Sequence, residues 1–357
     1  MSSLSSLSLV TPTYNRQRFA LRSMRFWSGK GAHVIMIDGS SQPIPQEHLA
    51  GVADNVRYMW MPISLEERLR AATQLLDTEY VALLADDEFF LPNGLQRCID
   101  ELESREDVIA CVGRCLNFWA TKRRLTVSHR YMSWPSILQE SAQERMEAKM
   151  ATLHALTIYG VVRRDPWVNC IRLVTEKVFS CCYVTEHLFE LFSSYQGKSR
   201  VIDVLSWFRS GENHPTSFKG WNRDYHFEHW YREQRNAAEI SEMFDIIKKS
   251  VLSVTPGTDQ ASLDHGLRKA IDILVNRAEA GKTRVSKIIA PFRKCAYVIA
   301  ANLPKKVKYP LKHMLGLSRN EFPFEEIPER LKQVGISCDA ADLMGVKESL
   351  KQFYGSW

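Results

Sequence analysis

The stretch "YVALLADDEFFLP", residues 80–92, is a strand-like apolar run interrupted by Asp86, Asp87 and Glu88. Three adjacent carboxylates repel one another and each loses hydration when partly buried, so a fold that sets them at a strand end must supply a compensating charge. Such a cluster offers hard oxygen ligands to Mg²⁺ or Mn²⁺. A cation there would neutralise the acids and at the same time hold the phosphates of a nucleotide.

Two further polar stretches precede it, "TPTYNR" at Thr11 to Arg16 and "DGSS" at Asp38 to Ser41. Alone, Asn15 or Asp38 could simply begin a turn or cap a helix. Together with the acids they fall into register once the elements are drawn. "LSLVTP", "AHVIMID", "VRYMW", "YVALLA" and "DVIACVGRCL" read as strands. Arg16 to Trp27, Leu65 to Leu76 with Ser64 as N-cap, and "LPNGLQRCIDELES" read as helices. Strands alternating with helices predict an α/β fold with a mostly parallel, doubly wound sheet, in which ligands bind beyond the carboxyl ends of the strands. All three polar stretches follow strands. A strand-end aspartate there can accept hydrogen bonds from a base or a ribose.

"LVTPTYNR", "VIMIDGSS" and "YVALLADDEFFLPNGL", in that order, resemble the nucleotide-binding half of family 2 glycosyltransferases with the GT-A fold. The resemblance covers about Leu7 to His214 and implies a Rossmann-like, mostly parallel sheet flanked by helices, followed by a C-terminal helical extension. It implies that Thr11, Pro12, Tyr14 and Arg16 line the base pocket, that Asp38 contacts the base and Asp86 the ribose, and that Asp87 holds Mg²⁺ or Mn²⁺ with Glu88 as helper. The acidic stretch departs from the commoner D-x-D-D spelling, because Ala85 stands at its first place. "VIDVLSWFRSGENHPTS" is similar to the family's closing strand and loop, where Arg209 and His214 would meet the diphosphate, His214 being a further metal candidate.

Transfer of a sugar also needs a group that takes the acceptor proton. "VTEHLFELF", Val184 to Phe192, lies where the family carries an acidic pair, and here the pair is Glu186-His187. Both are candidate bases, with Glu186 preferred because an imidazole would be protonated below about pH 6.5. Thr185 could instead cap the helix, leaving Glu186 to complement its dipole. Trp119, Lys122, Arg123, Arg124, His129, Tyr131 and Trp134 suit either acceptor stacking or an amphipathic cover for the sheet.

The implied function is an inverting transfer from a nucleotide-diphosphate sugar to a saccharide or lipid-linked acceptor, in polysaccharide or glycan synthesis. Two alternatives stand beside it. A polyol-phosphate transfer from a CDP donor would use the same fold. A basic nucleic-acid-binding protein would fit the pI of 8.8, but strand-end carboxylates repel phosphates and RNA-binding signatures are absent, so no nucleic acid is expected.

The chain has 357 residues, is 45% apolar and 25% charged, and carries a net charge of +6. That suits a large domain and an appendage, with the division expected at 1–224 and 225–357. From Lys282 to Lys312 there are nine basic residues and no acid, so the remainder carries 6 − 9 = −3. Interleaved with "IIAPF" and "AYVIAANL", these charges describe a basic amphipathic segment suited to an anionic membrane surface. The alternative is a helical extension with a solvated basic face. No apolar stretch reaches the roughly 20 residues of a spanning helix, and "MSSLSSLSLV" lacks the basic start of a secretory signal. The eight cysteines show no paired CxxC spacing. The expected location is cytoplasmic, with peripheral attachment to the inner membrane face.

Overall fold

The computed structural model describes residues 4–122, 124–131, 134–152, 156–212, 226–280 and 321–355. Among them ten strands form one mixed sheet: β1 (Leu7–Thr13), β2 (His33–Asp38), β3 (Val56–Trp60), β4 (Tyr80–Leu83), β5 (Phe89–Phe90), β6 (Val108–Thr121), β7 (Arg124–Tyr131), β8 (Val161–Arg163), β9 (Lys198–Ser210) and β10 (Glu321–Pro323). The order is β10-β7-β6-β8-β4-β1-β2-β3, with β9 against β6 and β5. The half formed by β3, β2, β1 and β4 is parallel throughout, as is the β6–β9 pair. The remaining pairs are antiparallel. The expected Rossmann-like sheet flanked by helices is the observed fold class.

Both faces of the sheet are covered, which is why its central strands are apolar on both sides. Leu7 and Leu9 of β1, and Tyr80 and Ala82 of β4, join one core with Phe26, Trp27, Phe89, Phe118 and Phe208. Val10 and Val81, pointing the other way with the period of two, join a second core with Trp167, Phe189, Phe192 and Trp230. The helices Gln17–Trp27 and Pro92–Glu103 contribute to the first core. The helices Leu65–Thr73, Arg164–Thr175 and Tyr183–Gln196 contribute to the second.

Local signals fix several boundaries. Ser64 and Glu67 form a reciprocal capping box at the start of Leu65–Thr73. Pro92 opens its helix, where a missing N–H costs nothing. Two positions after it, a Cβ on Gly94 would stand 2.5 Å from the Leu205 carbonyl oxygen, so glycine permits the close approach of this helix to β9.

Beyond residue 226 the described chain is helical apart from β10. It packs back on the sheet: β10 pairs with β7, Ser337 bridges to Val204, and Leu343, Val346 and Leu350 of the helix Ala340–Tyr354 enter the first core. The 224/225 boundary and the basic segment 282–312 lie outside the described residues. No described helix is long and apolar enough to cross a membrane. Cys98, Cys111, Cys115, Cys170 and Cys181 are buried and in no disulfide.

Candidate active site

The carboxyl ends of β1, β2 and β4 are tied to one another by side chains. Thr13, the last residue of β1, donates its hydroxyl hydrogen to Asp86 Oδ2 at 2.6 Å. Asn15 follows in the left-handed region, φ 55°, which asparagine tolerates better than most residues. Its N–H donates to Ser40 Oγ at 2.8 Å. Ser40 in turn donates to Asp38 Oδ1 from its backbone N–H at 2.8 Å and from its hydroxyl at 2.5 Å.

Asp38 is fully buried at the end of β2. Its other oxygen accepts from the Tyr58 hydroxyl at 2.7 Å and from Gln17 Nε2 at 3.2 Å. The carboxylate therefore ties its own loop to β3 and to the first turn of the helix Gln17–Trp27. Arg68, buried beneath them, donates to the carbonyls of Thr13 at 2.7 Å and Ile37 at 2.9 Å. A Cβ on Gly39 would lie 2.5 Å from the Arg68 guanidinium carbon, which accounts for glycine in "DGSS".

Two of the three acids meet on Arg16, and the third turns away from it. Asp86 turns to Thr13 and to Arg16 Nη2, 3.1 Å away. Asp87 also pairs with Arg16, and its backbone carbonyl accepts from Arg22 at 2.7 Å. Glu88 accepts from Trp207 Nε1 at 2.8 Å and faces Arg209 Nε at 3.9 Å. These cations and donors do not fully offset burial. Desolvation, opposed chiefly by Arg16, pushes the Asp86 carboxyl up to about 7. Desolvation and then the Asp87 charge push Glu88 up to about 8 against Arg209 and Trp207.

Arg209 links this loop to the helix Tyr183–Gln196. Its charge acts on Glu88, on Glu186 and on the Tyr159 phenol, and Tyr159 stacks on Trp207 at 5.0 Å. Burial raises the Glu186 carboxyl, with Arg209 opposing and Glu190 reinforcing. His187 is turned elsewhere: its ring packs against Phe227 at 4.7 Å and Tyr183 at 6.3 Å, and burial drives it down to about 3. The helix starts at Tyr183 with Cys182 as N-cap and no side-chain cap. Thr185 is thus an interior residue and does not cap it.

Of the remaining candidates, Thr11 is fully buried within β1. Pro12 is half-buried, and Tyr14 is 51% exposed beside the loops. His214 and Arg123 lie outside the described residues. The segment after β6 is the strand β7, where His129 stacks on Phe322 of β10 at 4.5 Å. That contact favours the packing reading for His129. Sequence reasoning passed over Thr13, Gln17, Arg22, Tyr58, Arg68, Tyr159 and Trp207. Thr13, in "TPTYNR", and Trp207, in "VIDVLSWFRSGENHPTS", lie in stretches that carry other candidates, whereas the rest had no such signal.

Residues 8–161 match the family model for Glycosyl transferase family 2. No curated protein matches the chain. Among solved structures, S. aureus TarS 1-349 in complex with UDP-GlcNAc aligns over 98% of this chain and 89% of its own, at 11% identity and a TM-score of 0.48. A longer S. aureus TarS aligns over 87% of this chain and 53% of its own, at 11% identity and a TM-score of 0.45. The chain spans about half the length of that protein.

Proposed function

Residues 8–161 belong to glycosyl transferase family 2, and from that premise we infer that the chain transfers a sugar, with inversion, from a nucleotide-diphosphate sugar to a saccharide or lipid-linked acceptor. One observation carries the reading. Hydrogen bonds and an ion pair join the ends of β1, β2 and β4 around Asp38, Asp86 and Arg16, where an open parallel sheet binds its ligand.

On this reading Tyr14 and the surrounding loops meet the base, with Pro12, Thr11 and Asp38 shaping the pocket behind it. Asp86 receives the ribose. Arg16, expected at the base pocket, lies among Asp86 and Asp87, and Arg209 faces the diphosphate, whose negative charge suits a cation set among carboxylates. Glu186 takes the acceptor proton, its raised carboxyl being better matched to proton transfer near neutrality than an ordinary one. The neutral, ring-packed His187 shapes the helix beside it.

The residues fit Mg²⁺ or Mn²⁺ held mainly by the donor. Burial raises Asp86 and Glu88 despite the arginines, so a further cation beside them would favour their charged forms. No group of three metal-ligating side chains converges among the described residues. Asp87 with the donor phosphates, and Glu88 behind it, would be the ligands, a usual arrangement for Mg²⁺. When bound, the ion supplies charge stabilisation to the departing nucleotide diphosphate.

The basic segment 282–312 supports attachment to an anionic membrane face on the cytoplasmic side, where lipid-linked acceptors would be met. The test is a panel of nucleotide sugars and a CDP-polyol, scored for hydrolysis, beside thermal shifts with UDP plus Mn²⁺ and with RNA. Stabilisation by UDP plus Mn²⁺ and hydrolysis of a nucleotide sugar are expected. Hydrolysis of the CDP-polyol alone, or stabilisation by RNA alone, would replace the reading.

A further inference from the structure

The helix Ala340–Tyr354 reaches the loop of Asp86, Asp87 and Glu88 by two routes. At its end, the Tyr354 hydroxyl donates to Glu212 Oε1 at 2.5 Å. Glu212 holds Arg22 at two points, 3.2 Å from Nη1 and 2.9 Å from Nη2, and both side chains are almost wholly buried. Arg22 then donates from Nη2 to the Asp87 carbonyl at 2.7 Å. The rings of Phe19, Phe89 and Phe353 enclose its guanidinium, with centroids 5.0, 4.9 and 4.7 Å away.

Near the start of the same helix, Asp342 accepts from Asn93 N at 3.0 Å and from Asn93 Nδ2 at 3.2 Å. The helix Pro92–Glu103 has no side-chain cap of its own at Leu91. Asp342 supplies the acceptor that an N-cap side chain would otherwise provide. The acidic loop is thereby held in its middle by Arg22 and at its far end by Asp342.

A buried arginine–carboxylate pair offsets its desolvation only when its geometry is good and the remaining lone pairs are satisfied. Tyr354 satisfies one of those on Glu212. Without it Oε1 keeps only Arg22 Nη1, while Oε2 keeps Arg22 Nη2 and the Ser210 hydroxyl at 3.3 Å, so the carboxylate is held from one side and the angle of Arg22 on the Asp87 carbonyl loosens. We propose that Tyr354, Glu212 and Arg22 are positioning residues that fix the main chain at Asp87, and so the direction in which its carboxylate meets the donor. Arg22 and Glu212 are buried behind the loop and act through its main chain. The proposal rests on the nucleotide-sugar reading above for its catalytic consequence.

Tyr354→Phe tests it, because the ring and its packing stay while the hydroxyl goes. Loss of one hydrogen bond to a charged group predicts amide exchange at 85–91 faster by about 10-fold, with 33–38 in β2 unchanged. In turnover, kcat falls by about 10-fold while KM for the donor holds, as expected when only the transition-state geometry is disturbed. Tyr354→Phe combined with Arg22→Lys should be no slower than Arg22→Lys alone, since both act through one chain. If Arg22→Lys does not fold, Tyr354→Phe decides by itself. Unchanged exchange at 85–91 overturns the proposal, as does faster exchange with unchanged kcat. A wild-type protein that turns over no nucleotide sugar removes the functional reading instead, and the exchange data still decide whether the tether holds Asp87.

Discussion

Arg16 Nη2 stands 3.1 Å from Asp86 Oδ1, joining the loop after β1 to the first of three adjacent acids. The same guanidinium pairs with Asp87. The compensation that the triplet demands therefore begins with an arginine in the loop after β1, aided by Arg209 and the Trp207 indole at Glu88. It is incomplete, as the raised Asp86 and Glu88 carboxyls show.

Asp87→Ala is expected to lower transfer by about 10²-fold or more, because the charge stabilisation of a bound ion at the leaving diphosphate amounts to several kcal/mol. The fold should survive, since the Arg22 contact is to the Asp87 backbone and is kept. Circular dichroism and a turnover assay with Mn²⁺ check both halves. Near wild-type turnover by a folded Asp87→Ala would remove Asp87 from the metal.

The Glu186 and His187 candidates now separate. A base works deprotonated, so a carboxyl raised above the ordinary range moves the acidic limb of the kcat/KM profile upward, with activity gained as pH rises through that raised value. His187, down near 3, places no limb between pH 5 and 8. Glu186→Gln should cost roughly 10²-fold in kcat and abolish the acidic limb. His187→Ala should keep the limb in place. The reverse pattern at equal donor binding would transfer the role to His187.

Much of this was legible in the chain. "VRYMW" is the strand Val56–Trp60, and Ser64 caps the helix Leu65–Thr73, because period and capping are local properties. The order of the strand-end loops was legible for the same reason. Arg22 was not. On a helix with apolar spacing an arginine reads as solvated, and its partners lie 65 and 190 residues away. The strand "EFP" at Glu321–Pro323 is too short to have a period and exists through its pairing with β7. Its Phe322 is buried and stacks on His129, a contact no local pattern announces.

Attachment to membranes is expected to depend on charge in the segment 282–312. Truncation at Gly281 would be a poor test, since it also removes β10 and the core residues Leu343, Val346 and Leu350. Lys305→Glu, Lys306→Glu and Lys308→Glu together change the charge of the segment and keep β10 and those core residues in the chain. Sedimentation with vesicles rich in anionic lipid should fall in this variant and, for wild type, fall as salt shortens the screening length from roughly 10 Å at 0.1 M. Binding that ignores both changes would leave the solvated-face alternative.

The helix that carries Glu186 is anchored one turn farther on by a buried ion pair, Lys149 Nζ to Glu190 Oε2 at 2.6 Å. Glu190 has no exposed surface and also accepts from Ile158 N at 3.1 Å, while Lys149 donates to Thr157 Oγ1 at 3.1 Å. Removing only the lysine charge leaves a carboxylate in a low-dielectric core, which costs about 3–5 kcal/mol. Lys149→Met, close in volume, should therefore lower the urea-derived unfolding free energy by that order. Lys149→Met with Glu190→Gln should recover a large share, because the stranded charge is gone and the amide oxygen can still accept from Ile158. The double-mutant cycle separates the pair from its surroundings. A Lys149→Met protein as stable as wild type would mean that Glu190 finds another cation or takes up a proton without cost.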